Sequence, residues 1–222
     1  AAHSGKDVPT RASDAYVERH FDEFAATFDS TLTTLGYRGP EIVRAALERA
    51  APLPKKAFDV VDLGCGTGRA GPLLAPWARS LVGVDLSQKM LDVAATLGVY
   101  DALERGEIVA ALASKEAAFD VAVVTDTFVY FGALEAVFAA IARALRPGGL
   151  LIGTHELLAD SDAQATFRIS PAGRYAHTRQ YVARALEGAG LELVDVEEAS
   201  TRIEYGEPVA GLVVTAKKPL GG

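Results

Sequence analysis

Four short apolar runs alternate with helical segments across the middle of the chain, and this alternation limits the possible folds more than any other feature. The runs cover residues 58–63, 80–84, 119–124 and 150–155, with a weaker one at 102–107. Strands that are apolar along their whole length are buried on both faces, and helices between them allow parallel pairing. The pattern therefore predicts an α/β protein with a doubly wound, mostly parallel sheet. In such sheets ligands bind beyond the carboxyl ends of the strands.

The two ends of the chain depart from this alternation. Residues 191–200 and 209–217 are two further strands with no helix between them, which predicts antiparallel pairing. At the start, residues 1–12 are polar and without pattern, whereas aromatic residues at helical spacing predict a helix of about four turns over 13–28. A second helix is predicted over 41–50, with a proline at its beginning.

These segments predict two parts of the chain. Residues 1–54 form an N-terminal arm and helical cap, and residues 55–222 form one compact domain. Within that domain, residues 156–177 are the longest stretch without a clear element, so we expect a lid over the ligand site there. The aromatic stripe of the first helix has two interpretations, because core packing and a second lid would look identical in sequence.

Composition excludes several classes of protein. The chain has 222 residues, half of them apolar, with a formal net charge of −7 and one cysteine, Cys65. A single cysteine excludes a disulfide scaffold, and no apolar run reaches the length of about 20 residues that a membrane span needs. The basic residues are scattered, which argues against nucleic acid as a partner. Because no signal peptide is visible, we expect a cytoplasmic protein; because an initiator Met is absent, we expect that a preceding N-terminal segment is missing.

A glycine-rich turn follows the first predicted strand, in the sequence Val-Asp-Leu-Gly-Cys-Gly-Thr-Gly at residues 61–68. Glycines at alternate positions let backbone N–H groups approach a ligand closely, and the next helix presents its positive end. A pyrophosphate or an amino-acid carboxylate could bind there.

The dinucleotide alternative has one formal match, because residues 66–71 fit G-x-G-x-x-G and Asp85 follows 17 positions after Gly68. However, the match begins two residues late, and the carboxylate of Asp62 would repel a pyrophosphate. Little chain is left for a substrate domain.

Four motifs occur in order along the chain: residues 61–68, then Val-Gly-Val-Asp-Leu-Ser-Gln-Lys-Met-Leu at 82–91, Phe-Asp-Val-Ala-Val-Val-Thr-Asp at 119–126 and Leu-Arg-Pro-Gly-Gly at 145–149. Together they resemble the motif series of class I S-adenosylmethionine-dependent methyltransferases, over residues 58 to 217. The resemblance implies a Rossmann-like sheet of seven strands with an antiparallel last strand. Three further segments, 16–29, 35–37 and 173–177, are similar to bacterial methyltransferases with upstream tetratricopeptide repeats, although the chain itself has no repeat of about 34 residues.

The resemblance also implies how the residues hold S-adenosylmethionine, whose demethylated product is S-adenosylhomocysteine. Asp62 orients the turn and the ammonium group, and Asp85 accepts hydrogen bonds from the ribose hydroxyls. Leu86 and Met90 pack on the adenine, and Glu107 accepts from its amine. The full set of implied cofactor-binding residues is Asp62, Gly64, Cys65, Gly66, Gly68, Asp85, Leu86, Met90, Glu107, Asp126 and Thr127.

The acceptor site is predicted from residues near the remaining strand ends. The candidate catalytic residues are His177, His155 and Tyr175, and the candidate substrate-binding residues are Tyr130, Arg168, Arg174 and Tyr16. The two arginines could pair with an anionic acceptor or simply be solvated, and His177 could instead cap or pack against a helix. The spacing of the four histidines predicts no metal site.

The prediction for function is therefore methyl transfer to a small-molecule acceptor by in-line displacement. Two alternatives remain: an NAD(P)-binding oxidoreductase, and a catalytically silent subunit that binds the cofactor for a partner. The sequence leaves the oligomeric state open.

Overall fold

The computed structural model describes residues 9–53, 55–159 and 166–221. The strands in these residues are β1 (Phe58–Leu63), β2 (Ala78–Asp85), β3 (Ala102–Arg105), β4 (Phe119–Val124), β5 (Leu145–Leu157), β6 (Phe167–Ile169), β7 (Tyr175–His177), β8 (Glu192–Glu198), β9 (Ile203–Glu204), β10 (Glu207–Pro208) and β11 (Gly211–Lys217). Seven of them form the main sheet in the order β3-β2-β1-β4-β5-β11-β8. The pairs from β3 to β5 are parallel, and β11 is antiparallel to both of its neighbours. This confirms the predicted fold.

The helices of the described residues are α1 (Asp14–Phe24), α2 (Phe28–Thr34), α3 (Gly39–Ala50), α4 (Gly71–Leu74), α5 (Gln88–Ala95), α6 (Ile108–Ala111), α7 (Glu135–Ala144) and α8 (Arg179–Gly188). Helix α5 begins after Ser87, whose hydroxyl accepts a hydrogen bond from the Met90 backbone N–H. Thr178 caps α8 in the same way. A single turn of 3-10 helix covers Phe128–Tyr130. Among the described residues, no helix is long and apolar enough to cross a membrane.

One predicted helix is wrong in its bounds. The helix predicted over residues 13–28 is broken after Phe24, where the Thr27 N–H donates to the Phe24 carbonyl, and α2 starts as a separate helix. Further along the chain, the short helix α4 ends at Leu74, and β2 begins at Ala78, which pairs with Phe58 of β1.

The segment predicted as a lid, residues 156–177, contains secondary structure that its sequence did not indicate. β6 and β7 form an antiparallel pair, and β7 adds to the end of β5 in parallel. Strand β5 is also longer than the predicted run of residues 150–155, since it begins at Leu145 and ends at Leu157. Residues 160–165 of the lid, together with 1–8 and 54 of the arm and cap, lie outside the described residues.

The sheet is covered on both faces. On one face, α6, α7 and α8 pack against it around Phe128, Phe138 and Leu145, which are fully buried. On the other face, α3 and α4 bury Leu47 and Leu74 against the strands. Because both faces are closed, the edge formed by the carboxyl ends of the strands is the place left for a ligand.

Candidate active site

A cavity of about 380 Å³ lies at the carboxyl ends of β1, β2 and β4. Its floor is formed by the loops that follow these strands and β3. Its roof is formed by α1 and α2, which lie across the sheet edge. This volume is within the range of about 300–1,000 Å³ typical of small-ligand pockets.

The loop after β1 needs glycine for two reasons. Gly64, Gly66 and Gly68 all have positive φ angles, between 54° and 83°. In addition, a Cβ on Gly64 would lie 2.2 Å from Oγ1 of Thr127, so the loops after β1 and β4 touch at this glycine. Gly68 does not line the cavity; a Cβ there would meet Tyr100 instead.

Asp85 ends β2 and lines the cavity. Its two carboxylate oxygens accept hydrogen bonds from the backbone N–H groups of Gly66 and Ser87, each at 2.9 Å. These bonds fix the orientation of the carboxylate and leave lone pairs for ligand donors. Burial raises the pKa of Asp85, against the effect of these N–H groups.

Asp62 lies in β1, just before the glycine-containing loop, and is 1% exposed. Its Oδ2 accepts a hydrogen bond of 2.7 Å from the hydroxyl of Tyr100, whereas Oδ1 has no partner among the described residues. Burial raises the pKa of Asp62 to about 7. A buried carboxylate oxygen without a partner is costly, so this position favours a ligand donor.

Glu107 and Leu86 line another part of the cavity. Glu107 caps α6, since its Oε2 accepts from the Ala110 N–H at 3.0 Å, and its Oε1 lies 3.1 Å from Nη1 of Arg11. Arg11 belongs to the N-terminal arm, which forms an isolated β-bridge with Phe131. Met90, the other predicted adenine contact, is fully buried and does not line the cavity.

Asp126 and Thr127 follow β4 and line the cavity with Thr125. Asp126 has a φ of 54°, which is rare for a residue other than glycine. Its backbone N–H donates to Oγ1 of Thr154 at 2.8 Å, and its carboxylate lies 3.1 Å from Nη1 of Arg202. Asp126 therefore turns its side chain toward a neighbouring group of charges.

That charge cluster consists of Asp126, Glu156, Arg174, Arg202 and Glu204. Arg202 is only 4% exposed and contacts all three carboxylates. Arg174 contacts Glu156 and Glu204. Since three carboxylates match two guanidinium groups, the cluster offers no spare positive charge to an anionic acceptor.

The structure does not bring the three predicted catalytic residues to the cavity. His177 is buried and its Nε2–H donates to the Phe131 carbonyl at 2.8 Å; burial lowers its pKa to about 4. His155 is also buried, with a lowered pKa, and stacks on Phe128 with ring centroids 4.6 Å apart. The hydroxyl of Tyr175 donates to the carbonyl of Pro9 at 2.8 Å. All three side chains therefore contribute to packing or hydrogen bonding within the fold.

The predicted substrate-binding residues divide between the cavity and its surroundings. Tyr130 and Arg174 line the cavity, and the guanidinium of Arg174 is held in the charge cluster. Arg168, on β6, does not line it. Tyr16 is 44% exposed on α1 and lies outside the lining.

The roof of the cavity decides between the two interpretations of the aromatic stripe. The cap wall, as we call it, consists of Val17, His20, Phe21, Phe24 and Phe28 on α1 and α2. The stripe therefore faces the cavity, as the lid interpretation expects, although its spacing is the same as that of a stripe that faces a core. Sequence reasoning missed Tyr37 as a site residue: it lines the cavity, and its hydroxyl has no hydrogen-bond partner among the described residues.

Polar side chains join the cap wall helices to the loops beneath them. Asp22 of α1 accepts a hydrogen bond from the hydroxyl of Ser87, and Asp29 of α2 accepts one from Oγ1 of Thr67 at 2.7 Å. Glu18 pairs with Arg105 at the end of β3. The cap is thus fastened to the loops after β1, β2 and β3.

Comparison with known proteins identifies the class of this fold and site. The family model of the methyltransferase domain matches residues 61–153. The chain is 33% identical over 196 residues to an uncharacterized methyltransferase of Emericella nidulans, covering 74% of this chain and 68% of that protein. The chain therefore belongs to the class I S-adenosylmethionine-dependent methyltransferases.

Two further relatives match over shorter lengths. Human methyltransferase-like protein 27 is 38% identical over 84 residues, covering 37% of this chain. A ubiquinone biosynthesis O-methyltransferase of Rhizobium etli is 25% identical over 162 residues, covering 67% of this chain. The matched segments span 34% and 65% of the length of these two relatives.

Solved structures share the fold at low identity. The cyclase SpnF has a TM-score of 0.77 and 19% identity, covering 96% of this chain and 99% of that one. A 1,6-didemethyltoxoflavin-N1-methyltransferase of Burkholderia thailandensis, solved with its substrate and S-adenosylhomocysteine, has a TM-score of 0.71 and 22% identity, with coverages of 96% and 93%. Both comparisons show a shared fold.

The cavity fits S-adenosylmethionine, the cofactor of this family. Four buried polar atoms of the lining have no hydrogen-bond partner among the described residues: Oδ1 of Asp62, Nε of Arg69, Oε1 of Glu107 and Oγ1 of Thr125. The methionine part of S-adenosylmethionine carries an ammonium and a carboxylate, which match the charges of Asp62 and Arg69. By contrast, Gly68 and Gly71 of the dinucleotide motif pack against Tyr100, away from the cavity.

Proposed function

We propose that this protein transfers the methyl group of S-adenosylmethionine to a small-molecule acceptor by in-line displacement. The observation that carries the proposal is a single roofed cavity with two kinds of lining. Its cofactor half is formed by Asp62, Gly64, Gly66, Asp85 and Glu107. Its acceptor half is formed by the cap wall with Tyr37, Tyr130 and Asp126.

In this proposal the cofactor half binds through groups that are already oriented. Asp62 accepts from the ammonium group, and Arg69 donates to the carboxylate. Asp85 accepts from the ribose hydroxyls, while Leu86 and Glu107 contact the adenine. Gly64 and Gly66 keep side chains out of the space that the methionine part fills.

Bound S-adenosylmethionine supplies an electrophilic methyl group on a positively charged sulfur. The work of the protein is then to align an acceptor atom opposite the sulfur and to exclude water. The cap wall suits both tasks, because its aromatic rings close the roof and present flat apolar surfaces. The charge cluster stays internally paired, which favours an acceptor without a carboxylate or phosphate.

Three observations support a small molecule as the acceptor. The cavity is small and roofed by α1 and α2, so a polymer would have to displace these helices. The net charge of −7 disfavours nucleic acid as the acceptor, because the protein would repel its phosphates. One relative is by name an O-methyltransferase of ubiquinone biosynthesis.

Two parts of the chain have assigned roles in this proposal. Residues 1–54 serve as an arm and a helical cap, and residues 156–177 serve as a lid beside the acceptor half. The narrower resemblance to methyltransferases with tetratricopeptide repeats has no support among the relatives reported above and stays a prediction.

The first test is calorimetric titration with S-adenosylhomocysteine. We expect binding by the natural chain and a loss of about tenfold to a hundredfold in affinity for Asp85→Asn, because a charged acceptor is lost. Asp92→Asn, on the exposed side of α5, is the matched control and should bind normally. Binding of NAD instead of S-adenosylhomocysteine by folded protein would contradict the proposal.

The second test is methyl transfer from S-adenosylmethionine carrying a labelled methyl group to a panel of phenols, amines and thiols. We expect labelled product with at least one small acceptor. Cofactor binding without transfer to any acceptor would support the catalytically silent alternative.

A further inference from the structure

The imidazole of His20 occupies a position in the acceptor half that the known features of the site do not use. His20 lies on α1 and lines the cavity. Its ring is half-buried and packs among three aromatic rings of the same helix, those of Tyr16, Phe21 and Phe24, at centroid distances of 5.1 to 6.0 Å. No described residue forms a hydrogen bond with it.

The orientation of α1 places His20 on the acceptor side. Glu18 and Asp22 point toward Arg105 and Ser87 on the cofactor loops. His20 lies between them in the sequence but on the opposite side of the helix, because side chains two residues apart differ by about 200° around the helix axis. Its stacking partner Tyr16 approaches the hairpin of β6 and β7, with its hydroxyl 3.6 Å from where a Cβ on Gly173 would be.

The carboxylates that line the cavity are engaged with other groups, apart from Oδ1 of Asp62, which the proposed function gives to the cofactor. Asp62 accepts from Tyr100, and Asp85 accepts from two backbone N–H groups. Asp126 pairs with Arg202. Asp14 and Glu107 both pair with Arg11.

The other ionisable groups of the lining are poor proton acceptors. Tyr37 and Tyr130 are held protonated because burial raises their pKa, and burial also raises the pKa of the Cys65 thiol. The buried His155 and His177 do not line the cavity. Among the described residues that line the acceptor half, His20 is therefore the one side chain with a basic nitrogen and no hydrogen-bond or ion-pair partner.

We infer that His20 is a catalytic residue, the general base for an uncharged acceptor that carries a hydroxyl group on an aromatic ring. This inference rests on the proposed function and names its acceptor class. The aromatic rings of Phe21, Phe24 and Tyr130 line the cavity and offer apolar surfaces to an aromatic acceptor, and the paired charge cluster offers nothing to an anionic substituent.

The acceptor oxygen forms a bond to the methyl carbon while the bond between that carbon and sulfur breaks, and the electron pair stays on the sulfur. The positively charged sulfonium becomes a neutral thioether. The proton of the acceptor hydroxyl passes to a ring nitrogen of His20, which then releases it to solvent because the ring is partly exposed.

The test measures methyl transfer to para-substituted phenols of graded acidity, from 4-nitrophenol to 4-methoxyphenol, by the natural chain, His20→Gln and His20→Ala. Removing a general base costs about 100-fold or more in kcat. We expect this loss for His20→Gln with the weakly acidic phenols and a smaller loss with 4-nitrophenol, which ionises without help. Added imidazole should restore part of the activity of His20→Ala.

The controls separate this inference from the proposed function. Glu23→Gln, an exposed change on the same helix, should leave kcat unchanged, and both His20 variants should bind S-adenosylhomocysteine like the natural chain. Equal kcat in the natural chain and His20→Gln would overturn the role of His20. Transfer by the natural chain to amines or thiols but to no phenol would overturn the acceptor class. Failure to bind S-adenosylhomocysteine would instead contradict the proposed function itself.

Discussion

The cofactor half and the acceptor half of the cavity are built in different ways. The cofactor half uses loops next to strand ends, where backbone N–H groups of Gly66 and Ser87 fix the carboxylate of Asp85. The acceptor half uses side chains from α1, α2, the residues after β4 and the charge cluster, which are far apart in the chain. Backbone geometry thus defines one half and side-chain packing the other, so we expect mutations to act sharply in the first half and selectively in the second.

The largest effect is expected from a substitution at Gly64, where the loops after β1 and β4 touch. Gly64→Ala places a methyl group 2.2 Å from Oγ1 of Thr127 and also strains a positive φ. We expect a loss of about 2–4 kcal/mol in the free energy of unfolding and no measurable cofactor binding. Chemical denaturation and calorimetry measure the two effects.

Gly98→Ala is the matched control for this prediction. Gly98 also has a positive φ, 63°, but nothing lies within 4 Å of its Cβ position. It should lose only about 1 kcal/mol, from backbone strain alone. Equal losses for both variants would show that the contact between the loops after β1 and β4 does not contribute to the free energy of unfolding.

The next effect concerns the pH dependence of cofactor binding. The pKa of Asp62 is raised to about 7, and its ionised form suits the ammonium group. Below that pH, binding requires loss of the proton, so affinity for S-adenosylhomocysteine should rise about tenfold between pH 6 and 8. Calorimetry at several pH values measures this. Asp62→Asn should bind more weakly and give a flatter profile; an unchanged profile in the variant would assign the effect to other groups.

A third effect concerns stability in acid and lies outside both halves. The pKa of His177 is lowered from 6.5 to about 4. The unfolded chain therefore takes up a proton at this residue before the folded chain does, and the resulting contribution to stability is lost as pH falls from 6.5 toward 4. His177→Gln should reduce this slope in denaturation experiments while leaving cofactor affinity within about twofold of normal. A large loss of cofactor affinity would place His177 within the site after all.

The smallest effect tests how strongly the halves are coupled. Asp22→Asn weakens the link between α1 and Ser87, which lies next to the loop of Asp85. We expect a loss of less than about tenfold in cofactor affinity, because one hydrogen bond is weakened rather than removed. Amide exchange in α1 should become faster. Glu23→Gln is the control, and identical exchange in both variants would mean that this link does not hold the cap.

The difference between the halves also explains what could be predicted. Asp62, Gly64, Gly66, Asp85 and Leu86 were predicted from motifs and Glu107 from the family resemblance, and the structure brings them together on one cavity. Their roles toward the cofactor stay predictions. Gly68 and Met90 belong to the same motifs but face Tyr100 and the protein interior, because a motif contains both residues that meet the ligand and residues that support the loop.

The acceptor side shows the limit of sequence reasoning. His155 lies inside β5 rather than at its end, and His177 ends β7, a strand that was not predicted. Both side chains point into a buried aromatic cluster with Phe128 and Tyr181. His20 lies on a stripe that predicted a helix, and its spacing does not reveal whether the stripe faces a core or a cavity. Direction relative to the sheet depends on how the helix packs, which spacing does not encode.

The order of strands and helices, the antiparallel last strand and the loops after β1 and β2 were predictable from the sequence, because apolar patterning, glycine conformation and capping depend on neighbouring residues. Which side chains form the acceptor half depends instead on tertiary packing. It paired Arg174 and Arg202 with three carboxylates, buried two histidines and turned a third toward the cavity. These outcomes depend on contacts between residues far apart in the chain, where packing and desolvation, rather than local pattern, set the position and charge of each group.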